Sequence, residues 1–325
     1  MIRLSRSVLS LVVMALLAAL LAPAAGAWPG SNGAIVFETF IDGGGEEHSR
    51  GRGIAIAPLG ADRTQITQLT SDPADRDPQV SPDGQQVVFV RSSDPEAFRD
   101  RTPTTIYLIN VDGSGLRPLT DGLHSDSEPA FSASGARVYF TRDTMLKGGD
   151  IFSIRLDGAG LSRIIAGTAN DRHPRASARG GLLTFQRQVS SNPAGRYQHI
   201  FVSRADGSHP RDLTPKLSRR LEARYPEFSP DGKRIVYSTV NRLLSVRVDG
   251  TRPRLLIPPR ASSPHIYADP TYAPDGRSLL FSTVDDDTGR SSLRRLDLGN
   301  LRRLPNPLVE PHISVRSSAW LTGSG

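Results

Sequence analysis

One short motif returns along this chain and limits its fold more than any other feature. Ser81-Pro82-Asp83-Gly84 recurs as Ser229-Pro230-Asp231-Gly232 and as Ala273-Pro274-Asp275-Gly276. Ser132-Ala133-Ser134-Gly135 and Ser177-Ala178-Arg179-Gly180 are weaker copies, and Ser31-Asn32-Gly33 reads as a truncated one. The glycines stand at 33, 84, 135, 180, 232 and 276, at intervals of 51, 51, 45, 52 and 44 residues. Self-similarity at such a period marks an array of one supersecondary unit. The chemistry of the motif is that of a turn. Proline presets its φ, and glycine takes the left-handed residue that closes a hairpin. Asp83, Gly84, Asp231, Gly232, Asp275 and Gly276 therefore read as turn residues. The aspartates are not a catalytic set, because equivalent positions of successive units lie far apart.

Each anchor has the same surroundings. A short β-branched and aromatic run follows it, as in Ile35-Val36-Phe37, Val87-Val88-Phe89-Val90, Val138-Tyr139-Phe140, Leu182-Leu183-Thr184-Phe185, Ile235-Val236-Tyr237 and Leu279-Leu280-Phe281. These runs are too short for helices and are bounded by turn signals. A second run, such as Ile106-Tyr107-Leu108-Ile109 or Ile151-Phe152-Ser153-Ile154, ends in Asp-Gly, the short-hairpin signal. A shorter segment ends in Leu69-Thr70, Leu119-Thr120 or Leu213-Thr214, and a proline (Pro78, Pro129, Pro174, Pro226, Pro270) precedes the next anchor. Each unit is thus four antiparallel strands: inner, second, third and outer. Near-continuous apolar second strands imply sheets covered on both faces, which one unit cannot achieve alone.

The expected fold is all-β: a six-bladed β-propeller of four-stranded antiparallel blades over residues 28–325. Pro311-His312-Ile313-Ser314 matches the segment that leads into each anchor, and the N-terminal unit lacks an inner strand. Closure of the ring by a C-terminal inner strand joining the N-terminal blade follows, and it would protect the sheet edges. A β-sandwich does not require six equivalent units, and an open solenoid would want caps.

The stretch Asp77-Pro78-Gln79-Val80-Ser81-Pro82-Asp83-Gly84, with Val87 to Val90 and Ile106 to Gly113, resembles the WD40-like PD40 repeat of the TolB β-propeller family. Tyr225 to Tyr237 is the clearest single match. The resemblance covers residues 30–316 and implies the propeller fold. It implies less about activity: such repeats also form the propeller of prolyl-oligopeptidase-type enzymes and the body of some pectate-fragment lyases. TolB itself carries a separate domain before its propeller; none is expected between the export signal and the first unit here, so its partner role is not simply carried over.

The first 27 residues read as an export signal. Arg3 and Arg6 precede an apolar stretch from Val8 to Leu21, and Ala25-Gly26-Ala27 supplies small residues for cleavage before Trp28. That stretch is short beside the roughly 20 residues of a membrane span. A retained N-terminal anchor is the alternative, and no span is expected after cleavage. The expected location is secreted or periplasmic. The chain has no cysteine, which excludes disulfides, a thiol nucleophile and Cys-ligated zinc. Its net charge of +7 comes almost wholly from arginine. The densest basic stretch, 211–260, is scattered through strand-like segments, so nucleic acid is not an expected partner.

No G-x-S-x-G nucleophile elbow occurs, nor a stretch fit for a hydrolase domain. None of the seven histidines has metal-motif spacing. The expectation is a protein that is not an enzyme, needs no cofactor and binds a protein or cell-envelope component. Residues just before each repeat proline should ring one end of the channel: Asp77, Glu128, His173, Tyr225, Asp269 and Glu310. Two places on stand Gln79, Ala130, Arg175, Glu227, Thr271 and His312, on the same side of their strands. Asp77, Glu128, His173, Asp269, Glu310 and His312 are candidates to hold a small ligand or a divalent cation, or simply to hydrate the channel. That leaves a carbohydrate- or small-ligand-binding propeller as an alternative function, with a polysaccharide lyase beyond it. Long second-to-third connections at 38–53, 91–105, 141–150 and 187–199 mark a binding face. On it, Glu46 and Glu47 are acidic, and Phe98 and Arg99 suit a protein contact.

Overall fold

The computed structural model describes residues 31–41, 50–58, 65–94, 102–144, 148–189, 197–217, 222–239, 241–259, 265–285, 291–301, 313–314 and 318–323. The segment read as an export signal lies outside them, as do Glu46, Glu47, Phe98, Arg99, Glu310 and His312. All regular elements among the described residues are strands, save a single 3-10 residue, and none is a helix long and apolar enough to cross a membrane.

The strands follow the repeat. β4 (Asp75–Val80), β5 (Gln86–Ser92), β6 (Thr104–Asn110) and β7 (Arg117–Pro118) form one antiparallel unit. β8 (Ser125–Phe131), β9 (Arg137–Thr144), β10 (Gly148–Arg155) and β11 (Ser162–Ile165) form the next, joined to the first by one parallel pair, Thr104 with Ser125. β12 (Asp171–Ala176) to β15 (Arg211–Asp212) and β16 (Arg224–Phe228) to β19 (Arg254–Ile257) are separate four-stranded sheets. β20 (His265–Tyr272), β21 (Ser278–Asp285) and β22 (Ser291–Asp297) make a three-stranded one. The remaining sheet joins the two ends of the chain: β1 (Ser31–Ile41) pairs with β2 (Arg50–Pro58) on one side and with β23 (Ile313–Ser314) and β24 (Ser318–Gly323) on the other.

Two readings need correction. Ser31-Asn32-Gly33 is not a truncated turn. It begins β1, with Ser31 opposite Gly323, because a strand from the other end of the chain is there to pair with it. The connection read as 141–150 is mostly strand: β9 and β10 stay paired out to Thr144 and Gly148.

Alternation within each second strand explains the continuous apolar runs. Val87 and Phe89 face Val36 and Ile54 of the preceding sheet, whereas Val88 and Val90 face Val138 and Phe140 of the following one. Successive side chains point to opposite faces, and both faces are covered. The pattern repeats between every consecutive pair of sheets, and Ile35 and Phe37 of β1 pack on Ala273 and Leu280 at the other end of the chain. One aromatic position recurs at the centre of the second strand, where Phe37, Phe89, Phe140, Phe185 and Phe281 are all fully buried. Each contributes about 1.5–3 kcal/mol by leaving water.

The inner strands lie side by side. β4 touches β8, β8 touches β12, β12 touches β16 and β16 touches β20, and β24 touches both β20 and β4. The Leu-Thr ending of the outer strand also has a reason. The hydroxyls of Thr70, Thr120 and Thr214 accept the amide protons of Ile54, Ile106 and Ile200 at 3.0, 3.1 and 3.0 Å, satisfying third-strand groups where the outer strand stops.

Candidate functional site: the mouth of the inner strands

Five inner strands, β4, β8, β12, β16 and β20, bend at the same place. The residue before each repeat proline has positive φ: Asp77 (53°), Glu128 (57°), His173 (53°), Tyr225 (55°) and Asp269 (46°). A residue before proline is normally extended, and left-handed non-glycine residues each cost on the order of 1–3 kcal/mol. The pairing register shifts there in all five strands, so each bend is a β-bulge. The bulges turn five side chains toward one another. Asp77, Glu128, His173, Tyr225 and Asp269 line a single opening together with Gln79, Arg175, Glu227 and Thr271.

Neighbouring sheets hold the bulges in place. Glu38 accepts the Asp77 amide at 2.5 Å, Glu128 the His173 amide at 2.8 Å, and Gln186 the Tyr225 amide at 3.3 Å. Three of the five left-handed amides are thus fixed by the sheet before them.

Most of the mouth is already committed to internal contacts. Glu128 lies 3.0 Å from His173 Nε2 and accepts the Thr141 hydroxyl at 2.7 Å. Burial opposes its ionisation, but the His173 imidazole, the Arg172 guanidinium and the Thr141 hydroxyl together hold its carboxyl below the usual carboxylate range. The His173 ring meets the Tyr225 ring edge-on at 4.7 Å. Burial pushes the Tyr225 phenol up, and the charges of Asp269, Glu128 and Asp77 add to the effect. One layer deeper, Arg175 Nε lies 3.2 Å from Glu227. Burial raises Glu227 to about 7 despite Arg175 and the Phe228 amide. A carboxyl tuned to neutrality in a channel is a group to test for function.

The space left is small. The opening holds about 20 Å³ and the layer below it about 50 Å³, against roughly 300–1,000 Å³ for sites that take small organic ligands. Among the described residues no three His, Asp or Glu side chains come together as metal ligands. The turn residues lie at the other end of the strands. Asp83 accepts the Ser81 hydroxyl and the Gln85 amide, Asp231 accepts their equivalents from Ser229 and Lys233, and Asp275 accepts the Arg277 amide. Gly84, Gly232 and Gly276 have φ of 71°, 67° and 68°.

The sequence reading placed Arg175 and Glu227 on this ring but not their pairing, and it missed a further device. Asp75, Asp126 and Asp171 are buried, and each takes a two-pronged bond from Arg91, Arg142 or Arg187. Each guanidinium also lies over two rings, for example Arg91 at 4.7 Å from the Tyr107 centroid. The signal was available: D-x-x-P is followed by F-x-R, with 16 residues from Asp to Arg in all three copies.

Repeated antiparallel sheets stacked face to face, with their first strands gathered around a polar opening, define a β-propeller. The TolB beta propeller domain (PD40) profile matches residues 77–256, more than half of the chain, and the chain belongs to that family. Solved structures agree in fold. TolB from Acinetobacter baumannii is 19% identical with a TM-score of 0.67, the match covering 96% of this chain and 71% of that one. A chain of a nidogen/laminin complex is 15% identical with a TM-score of 0.64, over 89% of this chain and 98% of that one. An oligogalacturonate lyase in complex with manganese is 14% identical with a TM-score of 0.51, over 78% of this chain and 83% of that one. None of the curated protein sequences is a significant match to the chain.

Proposed function

We propose that this chain is an exported, closed six-bladed propeller that binds another protein or a cell-envelope component and does no chemistry of its own. The ring reading is supported by β24, which pairs with β1 and touches both β4 and β20, and by the packing of Ile35 and Phe37 on Ala273 and Leu280. The observation that carries the binding role is the state of the mouth. Glu128, His173, Tyr225, Arg175 and Glu227 hold one another and leave about 20 Å³ at the opening, room for a water or two. Polar groups paired in this way brace a platform rather than receive a substrate. A neighbour of the same fold comes from a nidogen/laminin complex, an assembly of proteins. Export rests on the segment Arg3 to Ala27. Crosslinking of the tagged full-length chain in its own cells, with alkaline extraction of membranes, tests both parts. One specific crosslinked envelope protein is the expected result; recovery of the chain in the cytosol without crosslinks would overturn the reading.

A second reading has one observation in its favour: Asp77, Glu128, His173 and Asp269 do converge on one opening. On that reading the mouth takes a sugar or other small ligand with a divalent cation, or works as a lyase. Manganese or calcium, alone and with acidic glycans, should then raise the melting temperature, and an unsaturated product should absorb in the ultraviolet. A flat response in both assays would retire it.

A further inference from the structure

A cavity far larger than either space at the mouth lies elsewhere. It lies at the opposite end of the inner strands, between the sheets β16–β19 and β20–β22, and its volume is about 630 Å³. That is within the roughly 300–1,000 Å³ of sites for small organic ligands. Pro230, Asp231, Asp275 and Gly276 of two anchor turns border it, and Tyr272 and Leu256 contribute to its wall. Leu255 and Leu301 stand at its edge, 49% and 40% exposed. Three guanidinium groups face it, from Arg179, Arg234 and Arg254. Its two carboxylates are already engaged within their turns, Asp231 by the Ser229 hydroxyl and the Lys233 amide, Asp275 by the Arg277 amide.

Comparison with equivalent places explains why it is open. Arg117, Arg211 and Arg254 occupy one register position, opposite Leu108, Val202 and Ser245 of the adjoining third strands. Arg117 donates to the Leu156 carbonyl of the next sheet. Arg211 donates to Asp249 and Val248 carbonyls of the next sheet at 3.0 and 2.6 Å. Both thereby clasp the neighbouring hairpin. Arg254 has no such bond among the described residues and faces the cavity instead. Arg234 is held by Ser245 and the Arg252 carbonyl, which fixes a second cation at the same wall.

We infer that this cavity binds a small amphiphilic monocarboxylate, its apolar body against Leu255, Leu256 and Leu301 and its carboxylate on Arg254. A planar guanidinium with free donors suits a carboxylate, and the bond is charge-assisted. The basic stretch 211–260, which finds no use at the mouth, supplies two of the three cations. The inference does not depend on what the mouth binds.

The test is calorimetric titration of the full chain with decanoate below its micellar range, and with neutral decyl maltoside as the matched apolar probe. Decanoate should bind at one site, about tenfold more tightly than the maltoside. Arg254→Gln should weaken decanoate about tenfold, and Leu255→Ser should weaken both probes. Arg211→Gln, at the equivalent clasping position, should leave decanoate within about twofold of the parent. Absence of saturable decanoate binding would overturn the inference, and so would equal affinity for the two probes. Unchanged affinity in Arg254→Gln would do the same. Should Arg254→Gln melt before titration, Leu255→Ser decides on the same terms.

Discussion

Two arcs of this molecule build the same spot in different ways. Where β4, β8 and β12 begin, a buried aspartate grips an arginine of the second strand, and that arginine lies on an aromatic pair: Phe89 with Tyr107, Phe140 with Phe152, Phe185 with Phe201. In the two sheets that follow, the aspartate position holds Ala223 and Tyr267, and the arginine position holds Thr239 and Thr283. The third-strand ring is replaced by Leu244 and Arg294, opposite Tyr237 and Phe281. All three positions change together. A buried carboxylate without its guanidinium would be costly, as would a buried guanidinium without its carboxylate; Ala223, Thr239 and Leu244 avoid both costs, and in the last sheet the half-buried Arg294 donates to Thr283 at 3.1 Å instead. The blade therefore tolerates either solution complete and penalises a mixture. The Glu128–His173 pair lies within the ionic arc, while Glu227 and Asp269 bring carboxyls to the mouth from the other one.

The sharpest way to break this comparison is to make mixtures. Asp126→Ala leaves Arg142, with only 8% of its side chain exposed, with the half-exposed Asp121 at 3.8 Å as its remaining carboxylate, and should cost about 3 kcal/mol in urea denaturation. The double change Asp126→Ala with Arg142→Thr, which copies the other arc, should recover a large part of that loss. The reverse mixture, Ala223→Asp, places a carboxyl at a fully buried position and should cost about 3 kcal/mol. Adding Thr239→Arg and Leu244→Phe should then restore stability. Failure of both rescues would show that the two arcs are not interchangeable sets.

A second contrast lies within the channel, between two carboxyls that titrate in opposite senses. Glu227 is raised from 4.5 to about 7, so the folded state takes up a proton between those values. Its contribution is present below about pH 4.5 and is lost as pH rises through about 7. Glu227→Gln should therefore gain on the parent by about 2–3 kcal/mol between about pH 5 and 8. Glu128 behaves in the opposite way. Its pKa is held below 4.5, so its contribution is present above that pH and is lost as pH falls. Glu128→Gln should cost about 2 kcal/mol near neutrality, and the gap should close in acid. Melting curves across pH for the two variants read both effects, and parallel profiles would contradict the assignment.

The smallest expected effect concerns the outer strand. Thr120→Val removes the acceptor of the buried Ile106 amide and should cost about 1–2 kcal/mol. Thr→Ser at the same position should cost less, and equal losses would point to packing rather than to the hydrogen bond.

How much of this was legible in advance follows from how local each cause is. The anchor turn is a property of four residues, and Asp83 with Gly84 shows all of it. The mouth positions were legible because a repeat carries Asp77, Glu128, His173, Tyr225 and Asp269 to equivalent places, whatever their identities. Their pairing was not. That His173 reaches Glu128 while Tyr225 reaches His173 depends on left-handed bulges, which proline after a non-glycine residue argues against. The bulges at Asp77, His173 and Tyr225 are held by Glu38, Glu128 and Gln186 of the preceding sheets, which accept their amides. Such partners are 39 to 45 residues away, beyond any local rule.

The sequence by itself therefore determined the unit: four strands, the turns between them, two apolar faces per second strand, and the family that such units compose. These depend on residue spacing and intrinsic turn preference, which act over a few residues. Only the tertiary structure decided which polar groups meet. It set Glu128 and Glu227 in opposite protonation regimes, tied Asp126 to Arg142 over two rings, and left Arg254 facing an open cavity while Arg117 and Arg211 clasp their neighbours. Burial and distance between sheets fix those outcomes, and neither is a property of any one repeat.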